Sequence, residues 1–433
     1  MNTAMAAVDA HPVRLVVEDD LERNRLTVFF RLILAIPQLI WISIWTIGMI
    51  FVVIVNWFVT LIAGSPAPTL HRWTCAYLRY GTHLNAYLYL VANPYPGFTG
   101  EEGEYPIDLK LPEPGPQKRW KTLLRLFLAI PALVLASALG GWFSVGYGSS
   151  RGNGGTRYSA AGSRGALSLT CAVLGWFAIL ARGRMPKGLR DASAYGIGYG
   201  AQALAYLLLV TDRYPDADPT AMLHEVDRPP EHVVRLVGNA DDLRFSRVTV
   251  FFRLLLAVPH IVWLLLWGIV TVFAVVANWF VTLFRGTPAR GLHGFITRYV
   301  RYTLHVYAFV YLVANPFPGF TGEEGLYPID LVVPEPTRQN RWKTGFRLIL
   351  AFPAFLVSAA LGYGLLVAAV LTWFVALARG AAPWGLRNYS AYALRYQAQV
   401  NAYVTLLTDA YPHASPLEGA PEPQDDFAEA AAA

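Results

Sequence analysis

The stretch that decides the fold is FFRLILAIPQLIWISIWTIGMIFVVIVNWFVTLIAG, residues 29–64. It carries one charged side chain, Arg31, so it lacks the polar face of a surface helix in a water-soluble protein. Apolar runs of about 18 residues or more are typical of membrane-embedded helices. The sequence therefore predicts a membrane protein, and the rest of the chain can be followed outward from this block.

The pattern of this block recurs three times. It consists of an arginine, a proline six residues later, a Trp-Phe pair and a closing glycine. Such recurrence predicts an internal repeat. We place its four units at 12–104, 105–230, 231–326 and 327–413, followed by a disordered tail at 414–433. The copies are Arg31, Pro37, Trp57-Phe58 and Gly64; Arg125, Pro131, Trp176-Phe177 and Gly183; Arg253, Pro259, Trp279-Phe280 and Gly286; and Arg347, Pro353, Trp373-Phe374 and Gly380.

Composition agrees with a membrane protein. Of 433 residues, 55% are hydrophobic and only 15% are charged. The net charge of +6 fits the positive-inside bias of membrane proteins, and no basic patch indicates nucleic-acid binding. Cys75 and Cys171 lie at non-equivalent places, so a disulfide framework or a cysteine metal site is not expected. The first 25 residues are polar and resemble no signal peptide, so we expect the N-terminus in the cytosol.

Each unit has the same order of predicted elements. A short alternating run predicts a strand, and a basic connector and the apolar block follow it. A further helix, which we call the third helix, then ends at a Pro-rich corner such as NPYP at 93–96. The strands are predicted at 13–17, 107–111, 233–237 and 329–333, and the third helix of the first unit at 70–92. We expect the strands to form one sheet or two pairs, because proteins avoid unpaired strand edges.

A polar, glycine-rich insertion near 146–165 in the second unit bears on the topology. It falls in the middle of the apolar block, beside Gly140-Gly141. A polar loop cannot lie at the hydrocarbon midpoint of a single span. We therefore predict that every block is a helical hairpin with two arms meeting at such glycines, here and at Gly48, Gly268 and the pair in Gly362-Tyr363-Gly364. Cysteines placed at 149–164 would test this arrangement.

The predicted fold is thus a membrane protein, mainly α with short β-strands. It is a fourfold internal repeat of strand, helical membrane hairpin and amphipathic helix. Basic residues flank every block on both sides, which in a hairpin would put both flanks and both termini on the cytosolic side. We expect the inner (cytoplasmic) membrane, with hairpins that either cross it or re-enter it.

Several motifs taken together resemble a bacterial membrane-protein family, the domain of unknown function 4389. They are the FFRLILAIP-type start, the WF-to-Gly-Pro end, the YLRY/YVRY/LRY motif and the closing AYLYLVANPYP or AYVTLLTDAYP. The likeness covers about residues 12–412 as successive copies. The family has no established activity, so the resemblance implies an architecture and no reaction. The second unit departs from it, since Gly198 replaces the arginine found at Arg79, Arg301 and Arg395.

Two sets of polar residues are candidate contacts for anionic lipid or a ligand. The first set, the opening arginines, begins the apolar blocks. These side chains either snorkel to the headgroup layer or clamp a phosphate or carboxylate inside the bundle. The second set is a polar stripe on the third helices. The candidates are Arg31, Arg125, Arg253 and Arg347 in the first set, and Arg79, His83, Arg301, His305, Arg395 and Gln399 in the second.

The stripe has three interpretations. The third helix lies in the membrane interface with its polar side to the cytosol, or lines a polar vestibule, or packs against the strands. We predict that Arg79, Arg301 and Arg395 face anionic headgroups or cytosolic carboxylates. The acidic loops TGEEGEYP and TGEEGLYP (99–106 and 321–328) are interpreted as solvated turns, with cation binding as the alternative.

No catalytic, nucleotide-binding or metal motif occurs in the sequence, so no enzyme activity and no cofactor are expected. The predicted function is a non-enzymatic membrane scaffold or a module that binds lipid surfaces and partners. Its expected partners are anionic headgroups and a protein on the cytosolic face. The alternative is a transporter or channel with a path between the four repeats.

Overall fold

The computed structural model describes residues 11–140, 167–223, 232–238 and 244–417. The predicted mainly helical fold with short strands is confirmed. In chain order the elements are β1 (Arg14–Val17), α1 (Arg25–Phe29), α2 (Arg31–Leu34), α3 (Ile36–Ala63), α4 (Pro68–Leu88), β2 (Ile107–Lys110), α5 (Arg119–Leu123), α6 (Arg125–Leu139), α7 (Leu167–Arg182), α8 (Lys187–Leu207), α9 (Pro219–Met222), β3 (Arg235–Gly238), α10 (Arg247–Phe251), α11 (Arg253–Arg285), α12 (Arg290–Val310), β4 (Ile329–Val332), α13 (Arg341–Gly345), α14 (Arg347–Arg379) and α15 (Trp384–Val404).

The apolar blocks of units 1, 3 and 4 are not hairpins. α11 and α14 each run unbroken for 33 residues, and α2 and α3 are separated only by Ala35. The glycines predicted to be turns lie inside these helices. A Cβ on Gly364 would collide with the Tyr389 hydroxyl, so this glycine permits close packing. The hairpin prediction is wrong there because glycine serves a close approach as readily as a turn.

In unit 2 the two described helices of the apolar block, α6 and α7, do not form a hairpin. Arg125, which begins α6, lies at the end of α8 and donates to the Tyr206 carbonyl at 3.0 Å. α7 leads directly into the start of α8. Where α6 and α7 meet, the Ser168 hydroxyl donates to the Leu139 carbonyl at 3.0 Å. The two helices therefore run in line along α8. The test positions 149–164 lie outside the described residues.

The predicted strand pairing is confirmed as two antiparallel pairs. β1 pairs with β2, with Arg14 opposite Lys110, and β3 pairs with β4, with Arg235 opposite Val332. Each pair joins the opening strands of two neighbouring units. The chain therefore consists of two halves, units 1–2 and units 3–4.

Units 2 and 4 join the halves. α14 packs on α6 and α7, and Tyr195 stacks on Tyr389 with ring centroids 6.0 Å apart. The Ser415 hydroxyl donates to Asp191 at 2.8 Å. Residues 414–417, which were assigned to the disordered tail, are therefore packed into this centre. That part of the prediction is wrong because composition does not reveal a polar contact more than 200 residues away.

Three layers build each half, and the third helices form the middle layer. One side of α4 packs on α3 through Tyr77, Tyr80 and Leu84. The other side carries Arg79 and His83, which bond β2. At 100° per residue the centres of these two groups lie about 110° apart around the helix axis, so they occupy two different faces of the helix. α12 repeats the arrangement between α11 and β4. We call the outer layers the apolar layer and the strand layer.

The apolar layer turns its hydrophobic side chains outward. In α11 the outward residues Leu254, Leu265, Phe273 and Phe284 are 67–72% exposed. Its buried residues are largely polar: Arg253, Ala257, His260, Thr271, Asn278 and Thr282. A soluble surface helix has the opposite pattern. Among the described residues, the three helical stretches Arg31–Ala63, Arg253–Arg285 and Arg347–Arg379 are long and apolar enough to cross a membrane, so the fold is compatible with a membrane protein.

Candidate functional site

The four opening arginines cap the third helices. Each is at most 3% exposed, and its guanidinium points at carbonyl groups at the end of the third helix of its own unit. Arg347, for example, donates to the carbonyls of Tyr403 and Thr408 at 2.6 and 2.7 Å. The C-terminal end of a helix leaves carbonyls unpaired and carries partial negative charge. A buried cation there donates to the carbonyls and balances the charge.

Aromatic rings and carboxylates complete these caps. Each guanidinium lies 4.2–4.6 Å from the centre of a ring, in the order Tyr87, Tyr206, Phe309 and Tyr403. In the even units an aspartate adds an ion pair, Arg125 with Asp212 at 3.1 Å and Arg347 with Asp409 at 2.8 Å. The arginines are thus held inside the protein and do not snorkel to the headgroup layer, which was one of the two arrangements considered from the sequence. Their contact with a lipid or ligand stays a prediction.

The polar stripe of unit 1 holds a buried aspartate of the strand layer. Asp108 Oδ1 lies 3.1 Å from His83 Nε2. The backbone amides of Gly103 and Leu109 donate to the same carboxylate at 2.6 and 2.7 Å. The His83 ring stacks on Tyr105, with centroids 4.9 Å apart. These contacts fasten the acidic loop and β2 to the middle of α4.

Arg79 completes this cluster from one turn earlier in α4. Its Nη2 donates to Glu102 at 2.7 Å and its Nε to the Leu109 carbonyl at 3.1 Å. Unit 3 repeats the cluster with Arg301, His305, Glu324, Tyr327 and Asp330. The stripe therefore packs against the strands, which is the third of the interpretations considered. The carboxylates that Arg79 and Arg301 face belong to their own chain.

Units 2 and 4 have a glutamine at the position of this histidine. Gln399 donates to the Val234 carbonyl at 3.2 Å and accepts from the His413 amide at 3.1 Å. Gln202 makes the equivalent bonds in unit 2. Arg395 donates to the Ser415 carbonyl. All ten candidates thus lie at joints between elements, and among the described residues no group of three metal-ligating side chains is found.

The two buried aspartates predict a loss of stability in acid. Burial alone raises the pKa of the Asp108 and Asp330 carboxyls, but hydrogen bonds from the histidine and two amides outweigh it, and the net pKa lies below its usual value. Their stabilising effect is therefore full above the unfolded pKa of about 4 and is lost as pH falls through the folded pKa. Replacing both by asparagine should lower the unfolding free energy at neutral pH by about 1–3 kcal/mol per site.

Thermal unfolding in detergent from about pH 7 to about pH 3 checks this prediction. The Asp108→Asn/Asp330→Asn variant should lose part of the acid-dependent drop in Tm that the parent shows. Glu101→Gln, a change at an exposed carboxylate, is the control. Parallel pH profiles for the double variant and the parent would contradict the proposed role of these carboxyls.

A further set of arginines lies in the basic connectors that precede the apolar blocks. They are the first residues of the five-residue helices α1, α5, α10 and α13, and all are exposed. Three donate to a carbonyl at the end of a neighbouring apolar helix; the bond from Arg341 to Phe284, for example, is 2.9 Å. Their signal in the sequence is an arginine six residues before each opening arginine. We call Arg25, Arg119, Arg247 and Arg341 the rim arginines.

One family is found by comparison with known proteins. The model of a domain of unknown function (DUF4389) matches residues 25–99, 162–217, 247–321 and 341–415. The matches fall one in each of the four units and together cover most of the chain. No curated protein and no solved structure matches this chain.

Proposed function

The chain belongs to the DUF4389 family, and we propose that it is a non-enzymatic membrane protein lying along one leaflet with its strand layer as a binding platform. The observation that carries this proposal is the order of the layers. Apolar helices cover one side of the middle layer, and exposed charges such as Glu101 and Lys110 cover the other. A protein that rests in one leaflet needs these two contrasting faces.

The strand layer accompanies the whole length of α4, and this favours apolar helices that lie parallel to the membrane plane. α4 has 21 residues and is about 30 Å long, which equals the thickness of the hydrocarbon core. The segment that contains β2 runs beside all of α4. Its Asn93 carbonyl accepts from Arg31 near the C-terminal end of α4, and its Pro112 carbonyl lies 2.9 Å from His71 Nε2 near the N-terminal end. Upright helices would put the exposed charges between these points into hydrocarbon, where they are costly.

The distribution of charge favours the same orientation. The rim arginines lie near the starts of the apolar helices, while Arg285 and Arg379 end two of them. Upright helices would put basic residues on both sides of the membrane, against the positive-inside rule. Helices lying flat keep all of them at headgroup level. The exposed glutamates 101, 102, 323 and 324 belong to the strand layer, away from the lipid.

On this proposal the protein occupies the cytosolic leaflet of the inner membrane, with both termini in the cytosol. The rim arginines bind anionic headgroups, because guanidinium and phosphate pair well at an interface. The strand layer is open to a protein partner. The proposed function involves no chemical reaction and no binding of nucleic acid.

Removing one rim arginine tests whether these residues contact lipid headgroups. Arg341→Gln should lower the preference of the reconstituted protein for phosphatidylglycerol over phosphatidylcholine by up to about fivefold at low salt, since one interfacial cation contributes about 1 kcal/mol. Spin-labelled lipids report this preference. Lys110→Gln removes one charge from the strand layer and should leave it unchanged.

Two results would contradict the proposal. Equal effects of the two substitutions would remove the distinction between rim and strand layer. Solute flux through vesicles that contain the parent protein would instead favour the transporter alternative.

A further inference from the structure

A cavity of about 710 Å³ lies between units 2 and 4. Its volume falls within the range of about 300–1,000 Å³ that is usual for ligand pockets. One wall is α6, with Phe127 and Leu128, and the opposite wall is the last part of α14, with Leu371, Phe374 and Val375. Both walls belong to the apolar layer. The cavity therefore adjoins the side of the protein that we propose lies in lipid.

The inner surface of the cavity is polar at two points. Tyr199 and Tyr206 of α8 line it and are each 2% exposed. Within the part of the chain that the structure describes, neither hydroxyl makes a hydrogen bond, and neither oxygen is among the buried atoms without a partner, so both hydroxyls are open to the cavity. A purely apolar occupant would leave these two donors unpaired, which is costly in a buried site.

The rim of the cavity is positively charged. Arg379 lines it, is exposed, and makes no ion pair or hydrogen bond to any described residue. Lys121 lines it as well and pairs with Asp212 at 3.2 Å. Asp216 is the one acidic side chain among the described residues of the lining, and it accepts a hydrogen bond from the Asp218 amide at 3.0 Å. An unpaired guanidinium beside an apolar cleft suits a ligand with an anionic head and a hydrocarbon tail.

We propose that this cavity binds one anionic phospholipid of the surrounding leaflet. An acyl chain lies between α6 and α14, and the phosphate contacts Arg379 and Lys121. The two tyrosine hydroxyls donate to the ester carbonyls of the lipid. This site deepens the proposed function and rests on it, because a leaflet-embedded protein has such lipids at the mouth of the cleft.

Two variants test the site, each with a matched control in unit 3. Val375→Trp fills the cleft without changing charge, and Arg379→Gln removes the cation. Val281→Trp and Arg285→Gln make the same changes at the equivalent positions of α11, outside the cavity. Native mass spectrometry of delipidated protein incubated with phosphatidylglycerol or phosphatidylcholine counts the retained lipid.

We expect the parent to retain one phosphatidylglycerol in preference to phosphatidylcholine. Val375→Trp should lower this occupancy at least about tenfold, and Arg379→Gln about fivefold. Both controls should bind as the parent does. If Val375→Trp fails to fold, Arg379→Gln still decides, because its side chain is exposed.

Three results would overturn the proposal: unchanged phosphatidylglycerol in both cleft variants, equal losses in the controls, or retention of a free fatty acid in place of the phospholipid. These results are distinct from failure of the proposed function. The headgroup preference of the lipid around the protein depends on the rim arginines and should not change in Val375→Trp.

Discussion

Replacing Arg347 by methionine is expected to lower the free energy of unfolding by about 3–5 kcal/mol, since it removes one partner of a buried ion pair. Methionine preserves much of the side-chain volume but has no donor. The change would leave the carbonyls of Tyr403 and Thr408 and the carboxylate of Asp409 without their guanidinium. The end of α15 would lose its cap together with the ion pair.

Chemical denaturation in detergent measures this change, with Arg285→Met as the control. Arg285 is also an arginine of an apolar helix, but it is exposed, so its replacement should cost no more than about 0.5 kcal/mol. Arg253→Met should fall between the two, because none of the described carboxylates pairs with Arg253 in unit 3. Equal stabilities for Arg347→Met and Arg285→Met would contradict the capping role.

The second large effect concerns the apolar layer. Replacing Leu265 and Phe273 by glutamate puts two carboxylates on the outward face of α11, where both side chains are highly exposed. Acidic groups in hydrocarbon are strongly disfavoured, so we expect a cost of about 3 kcal/mol or more, on the order of a hundredfold in membrane partitioning. Cell-free synthesis with liposomes, followed by flotation, measures the inserted fraction.

Leu326→Glu is the matched control for this experiment. Leu326 is equally exposed, at 69%, but it lies in the acidic loop of unit 3, where unit 1 has Glu104. The control should float with the liposomes as the parent does. An equal loss of insertion in Leu326→Glu would mean that the strand layer also lies in lipid.

Much of the fold follows from periodicity along the chain. Alternation located each strand within two residues of its observed bounds, and four copies of one pattern predicted the four units. The apolar blocks were also located correctly, because their composition alone distinguishes them. The path of these blocks through space was not predicted correctly. Gly268 and Gly364 are compatible both with a turn and with close packing, and only the neighbouring tyrosines show that they serve close packing.

The candidate site shows the same limit. Spacing along α4 correctly brought Arg79 and His83 to one face. It did not reveal Asp108 as their partner, because this aspartate follows 25 residues after His83 in a segment that its pattern marks only as a strand. The acceptors of Arg31 lie 61 and 62 residues away along the chain. Local pattern identifies which side chains need partners, but the packing of helices determines which partners they find.

The claim that the apolar helices lie along one leaflet is tested most directly by the sidedness of the two ends of α11. Ser246→Cys and Thr287→Cys introduce exposed thiols just before and just after α10 and α11. The native cysteines are buried, and burial raises the pKa of the Cys75 thiol to about 11, so their reaction should be slow. A membrane-impermeant maleimide added to sealed vesicles should label both new thiols from the same side. Labelling of the two thiols from opposite sides would contradict the claim and establish α11 as a membrane-spanning helix.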